Sequence, residues 1–250
     1  MGSAFIGKAK VRVALYSAGT TFENRPFRYL ENVSAFQFSF AEEEKKLLDY
    51  ASAAGGVDAS IKRITDVTGS MDLRHFTADN LALALWGTTA ALSAVAIVGE
   101  AGYKIVPLAF VPTKRLINTS VAPVVKKGAT VIDTDDYTVS AGGITIASTI
   151  TTAGVVSGDA ITIDYTPQAG ADVQSLLSSA PDVSIHVEGI NEVDGKYSVF
   201  KGFKCKLGVA QNVGLIGEDF GTLTLSFSVQ KDETIVTAGK SQYFELQQAT

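Results

Sequence analysis

A single cysteine, Cys205, stands in the 250 residues, so an intrachain disulfide framework is excluded. Histidine is almost as scarce: with only His75 and His186 beside that one thiol, no zinc-ligand spacing exists. Charge is thin as well, with 19% Asp, Glu, Lys and Arg against the roughly 25% of an ordinary soluble domain. A surface short of charge is often one that gets covered, which points to assembly. The net charge of −5 is spread as +2 over residues 1–120, −3 over 121–170 and −4 over 171–250. No region is a basic footprint, which argues against tight phosphate binding. The stretch Met1–Lys10 lacks an apolar run long enough for a secretory signal. Leu81–Val98 is eighteen residues without a charge, the minimum for a membrane span. Gly87-Thr-Thr interrupts it and no basic cluster flanks it, so it reads as a buried helix plus a buried apolar connection.

What the chain does have is period-two patterning. Val33–Phe40 alternates Phe36, Phe38 and Phe40 with Ala35, Gln37 and Ser39, the mark of a half-buried strand. The next sixteen residues, 41–56, far exceed an ordinary hairpin connection. They open with Glu42-Glu43-Glu44-Lys45-Lys46, followed at once by Leu47, Leu48 and Tyr50. This stretch is expected to be a long protruding loop carrying charge and apolar side chains together, a contact element. A second strand is expected over about 57–74, with Gly69 marking a bulge.

Residues 1–30 read as an extended arm with a strand at Lys10–Tyr16. Thr77–Gly87 reads as a short helix, spanning 78–86, with Thr77 as N-cap, Asp79 at the positive end of the dipole and Gly87 as the left-handed stop. Leu81, Leu85 and Trp86 form its expected apolar face. Residues 102–113 return to strand. Residues 114–170 change character, with short Thr-, Val- and Ile-rich runs between turn signals such as Ala141-Gly-Gly143. They read as a small β module inserted into a parent domain of 1–113 and 171–250. In the latter part Val183–Glu188, Tyr197–Leu207 and Gly221–Gln230 read as strands. The fold class expected is mainly β, a sandwich or barrel with one packed helix.

A search for chemistry finds none with a specific pattern. Cys205 lies between Lys204 and Lys206 and reads as an ordinary strand residue rather than a reactive thiol. Spacing alone does not decide a Ser–His–Asp triad, whose members meet only in the fold, but no segment presents a serine on a strained elbow. Asp133, Asp135 and Asp136 are the best candidate metal ligands, yet EF-hand spacing and its closing Glu are missing, so a solvated turn is expected. Gly208, Gly214, Gly217 and Gly221 lack the GK[ST] ending of a phosphate loop. No catalytic residue, cofactor or metal site is assigned.

The order of parts, from Val33–Phe40 through segment 41–56, Ile61–Leu73, the helix Thr77–Gly87 and the closing strand Gly221–Gln230, resembles the tail tube (major tail) proteins of long-tailed bacteriophages. The likeness covers about three quarters of the chain and rests on architecture rather than a short motif. It implies a non-enzymatic virion protein, assembled in the host cytoplasm, whose hexameric rings stack into the tube that conducts DNA into the host cell. It implies rings closed by continuous β-sheet, with the long loop and terminal arms bridging successive rings and the Ig-like module outside. Carried over, the inter-ring contact falls on Glu42, Glu43, Glu44, Lys45, Lys46, Leu47, Leu48 and Tyr50. Its partners would be further copies of itself, tail tip, tape-measure and terminator proteins, and genomic DNA in transit without specific binding, with no membrane insertion. The alternative is a surface adhesin that binds carbohydrate through the inserted module.

Overall fold

The computed structural model describes residues 7–50 and 56–249. Residues 1–6 of the expected arm and 51–55 of the expected loop lie outside it. The chain is mainly β and divides into two compact units, Met1–Thr89 with Val173–Thr250, and Ala90–Asp172.

The first unit begins with β1 (Gly7–Leu15), β2 (Arg28–Tyr29), β3 (Val33–Leu48), β4 (Val57–Leu73) and α1 (Ala78–Ala84). The chain crosses to the second unit in β5 (Thr88–Leu92). That unit holds β6 (Ile97–Lys104), β7 (Phe110–Pro112), β8 (Val124–Lys127), β9 (Thr130–Val131), β10 (Tyr137–Ser140), β11 (Gly143–Ile146) and β12 (Ala160–Tyr165). The return crossing is β13 (Gly170–Gln174), followed by β14 (Asp182–Asn191), β15 (Tyr197–Leu207), β16 (Leu223–Gln230) and β17 (Phe244–Gln248).

One antiparallel sheet organises the first unit, in the order β2-β1-β14-β15-β16-β4-β3, with β17 added to β15. The expected N-terminal arm is sheet over Gly7–Leu15 and again at Arg28–Tyr29: β1 pairs with β14 along its whole length, Gly7 opposite Asn191 and Leu15 opposite Val183. Alternation explains the core. Leu223, Leu225, Phe227 and Val229 of β16 are buried, with half-buried polar residues between them, and each such side chain contributes about 1.5–3 kcal/mol by leaving water. The sheet curls back on itself. Phe36 and Phe38 of β3 lie over Phe200 of β15 at 5.4 and 5.3 Å between ring centroids, and Phe38 lies 5.8 Å from Phe244 of β17. The result is a two-layered sandwich; among the described residues it does not close into a barrel.

Thr77 caps α1 as expected, its hydroxyl accepting from the Asn80 N–H at 3.2 Å. The left-handed residue after the helix is Trp86, with φ 50°, not Gly87. Gly87 is needed for another reason: a Cβ there would lie 2.2 Å from the Gln174 carbonyl oxygen. The helix meets the core through Leu81, Leu83 and Ala84. Leu85 and Trp86, expected on that face, are half-buried outside the core.

The second unit starts at Ala90, well before the expected boundary at 114. Its sheets, β10-β11-β7 and β6-β12-β8-β9, enclose a separate core that includes Ile105, Val111, Ile117, Ile144, Ile161 and Ile163. β6 belongs here because it pairs with β12 and because Glu100 is buried. The Glu100 carboxylate accepts from the Tyr103 and Tyr165 hydroxyls and from the Lys114 N–H. Burial opposes its charge, but these hydrogen bonds win and hold it below the usual carboxylate range. Pro112 and Pro123 lie inside the unit.

Candidate functional site

The segment expected to be a long loop is mostly strand. β3 and β4 continue their pairing far beyond the core, from Glu42 opposite Ile64 to Leu48 opposite Val57. A bulge at Thr65 marks where this ribbon leaves the sheet. Ala41 still faces Asp66, Glu42 already faces Ile64, and the Thr65 hydroxyl donates to the Ala41 carbonyl at 3.2 Å. Bulges bend a strand and raise its twist, so this one re-aims the pair. Gly69, expected to be the bulge, sits in regular register opposite Phe38 and Phe227.

Directly opposed residues share a face of a ribbon. One face therefore carries Glu43, Lys45 and Leu47 with Arg63, Ile61 and Ala59. The other carries Glu42, Glu44, Lys46 and Leu48 with Ile64, Lys62, Ser60 and Val57. The structure thus joins seven of the eight candidates, Glu42 to Leu48, on one strand. Tyr50 stands at the tip, 85% exposed, where the Asp49 N–H closes onto the Gly56 carbonyl at 3.0 Å. Sequence reasoning missed Val57, Ile61 and Ile64, all exposed. Their signal was present: Ile61 and Ile64, three residues apart, cannot share a face of a strand.

This ribbon is unusual in having apolar side chains exposed on both faces. Leu47 and Ile61 project from one, Leu48, Ile64 and Val57 from the other. An isolated two-stranded ribbon is marginal in water. Its ion pairs, Lys45 to Glu43 at 3.9 Å and Lys46 to Glu44 at 3.4 Å, are exposed and such pairs contribute little. Exposed apolar side chains among charged ones on both faces, with weak internal support, leave the ribbon two surfaces suited to contact.

The sheet also presents two edges. The outer side of β3 has no partner strand among the described residues, and β2 covers β1 only at Arg12 and Val13, leaving Gly7–Lys10 open. Open edges are templates for strand pairing with another chain.

The residues weighed for chemistry are engaged structurally. Cys205 is fully buried and its thiol is pushed up to about 12 by burial, the opposite of an activated nucleophile. The His186 ring packs beside Phe22 and Phe27, and its pKa is lowered by burial and by Arg12. His75 pairs with Glu31. Asp133 caps a short 3-10 turn and Asp136 accepts from Thr151 and Thr152. Among the described residues no three His, Cys, Asp or Glu are grouped to hold a metal, and no helix is long and apolar enough to cross a membrane.

A family model described as protein of unknown function UCP028589 matches residues 4–247. No curated protein matches the chain.

Proposed function

The chain belongs to the family of proteins of unknown function UCP028589, and we propose that within it this protein is a structural subunit of a phage tail tube, polymerising into stacked hexameric rings that conduct DNA without catalysis. The observation that carries this reading is the β3–β4 ribbon, which extends beyond the core and exposes apolar side chains among charged ones on both faces. The two open edges support it further. A strand of one copy added to the β1 edge of the next is a head-to-tail contact, and such contacts close into rings or run on as filaments. The acidic balance of −5 suits a conduit that DNA traverses without sticking.

Negative-stain electron microscopy across a concentration series tests the reading, alongside a variant in which residues 43–63 are replaced by an Asn-Gly turn. Rings or hollow tubes of uniform width are expected from the full chain, and folded monomers from the variant. Strict monomers of the full chain at every concentration would overturn the assignment, and normal tubes from the variant would remove the ribbon from the contact.

A further inference from the structure

The segment between β1 and β3 packs on the sheet face opposite the core and ends by covering part of the β1 edge. Phe22, in the short 3-10 turn Phe22–Asn24, is buried. Its ring packs beside Phe27, Phe203 and His186, and Phe27 lies 5.8 Å from the same imidazole. A few residues on, β2 pairs with β1 at Arg12 and Val13, and the Leu30 N–H donates to the Val11 carbonyl at 3.0 Å. Among the described residues these contacts are what covers the β1 edge.

His186 lies beneath this segment. Ile185 and Val187 belong to the core, so the residue between them points to the opposite face. Register places it in a row of cations: Arg12 of β1 stands opposite His186 of β14, and His186 stands opposite Lys201 of β15. The carboxylates nearby face other cations. Glu188, two residues along β14, binds Arg12 at 2.9 Å and has Lys10 opposite it on β1. Glu23 of the covering segment lies 3.9 Å from Lys201, and Glu245 of β17 stands opposite Lys201. The Nδ1 atom of His186 is buried and makes no hydrogen bond among the described residues. A neutral imidazole leaves one ring nitrogen without a hydrogen, whereas the charged ring carries an N–H on both. Protonation therefore puts a buried donor where no acceptor stands, and a third positive charge between two others. Burial first, then Arg12 and Lys201, push its pKa below the usual histidine value, with Glu188 opposing.

We infer that His186 is an acid-sensitive latch: neutral, it seats the 16–30 segment on the sheet, and protonated, it loosens that segment and bares the β1 edge from Gly7 to Leu15. The seated segment disfavours the charged ring, so its hold is full above the ordinary histidine value of 6.5 and weakens as pH falls below it. Arg25 still ties the segment to Ser184, Phe203 and Asp232, so the opening is a local equilibrium and not a release of the whole unit. The latch belongs to a single copy. That the bared edge recruits a strand of a second copy rests on the self-assembly reading above.

Hydrogen exchange on the full chain, read by mass spectrometry at about pH 7.5, 6.5 and 5.5 and corrected for intrinsic rates, tests it. Peptides from 16–30 should lose protection about threefold or more between the highest and lowest pH, while peptides from 183–191 and 197–207 keep theirs. His186→Phe, which cannot charge, should keep the segment protected throughout. Histidine is the side chain that ordinarily titrates in this range and the chain has one other, so His75→Gln should respond like the parent chain. Lys201→Gln removes one flanking cation and should shrink the loss, a readout that stands even where His186→Phe does not fold. Unchanged protection in the parent chain, or an equal loss in His186→Phe, would overturn the latch. Sedimentation at the same pH values reads the consequence. Larger assemblies at the lowest pH uphold recruitment by the bared edge, whereas opening without a change in assembly upholds the latch and removes the β1 edge from the contact between copies.

Discussion

Two buried carboxylates show how single residues fasten this molecule. Arg25 is 5% exposed and holds the 16–25 segment to the sheet. Its guanidinium donates to the Ser184 hydroxyl at 2.6 Å and the Phe203 carbonyl at 2.8 Å, approaches Asp232 at 3.4 Å and lies over the Tyr16 ring. Asp232 also accepts from Tyr16 and Thr234. Removing one partner of a buried pair strands the other charge, so Asp232→Ala should cost about 3–5 kcal/mol in urea denaturation, and Arg25→Met in the same chain should recover much of it. Asp136 is the counterpart in the second unit. Burial opposes its charge, but four hydrogen bonds from Thr151 and Thr152 overcome that and lower its pKa from 3.8 to about 2. A depressed carboxylate contributes stability that is present above its unfolded value and lost as pH falls through the folded one. The second unit should therefore weaken between about pH 4 and 2, and Asp136→Asn should flatten that part of its pH–stability curve, measured by thermal melts.

At the scale of elements, the first and last parts of the chain were legible wherever alternation met a one-sided core. β16 and the Val33–Phe40 half of β3 follow the expected pattern, and α1 was readable from its Thr77 cap. The ribbon was not, because three glutamates and two lysines have low strand preference and no buried face to reveal a period. What stabilises them as strand is the partner: Glu43 sits opposite Arg63 and Glu44 opposite Lys62. Pairing of that kind is a property of two segments, and neither shows it alone. Seven of the eight candidate residues lie on one exposed strand and Tyr50 follows it, but the stretch is strand where a loop was expected; the spacing of Ile61 and Ile64 already put them on different faces, and register shows which candidates they stand opposite. Gly69 illustrates the same limit. It was read as a bulge, but its role is close packing, since a Cβ would lie 2.3 Å from the Phe227 ring and 2.6 Å from the Gln37 carbonyl oxygen. One obstacle is backbone and cannot swing away, so Gly69→Ala should destabilise the first unit by about 1–3 kcal/mol, read by chemical denaturation.

For the whole molecule, the division into two units turns a fold description into an experiment on function. Each unit has its own buried cluster and no residue belongs to both. The ribbon and the open edges lie in the first unit. The two crossings, β5 and β13, pair with each other, so the chain leaves and re-enters the first unit through adjacent strands. Residues 93–169 can then be replaced by a short Gly-containing hairpin turn at little topological cost. If assembly resides in the first unit, this shortened chain should keep its cooperative unfolding and form rings and tubes at the same protein concentration as the full chain, seen by electron microscopy and sedimentation. Residues 90–172 expressed alone should fold and stay monomeric, and should keep the acid sensitivity set by Asp136. Loss of assembly from a shortened chain that still unfolds cooperatively would place a necessary contact on the inserted unit instead.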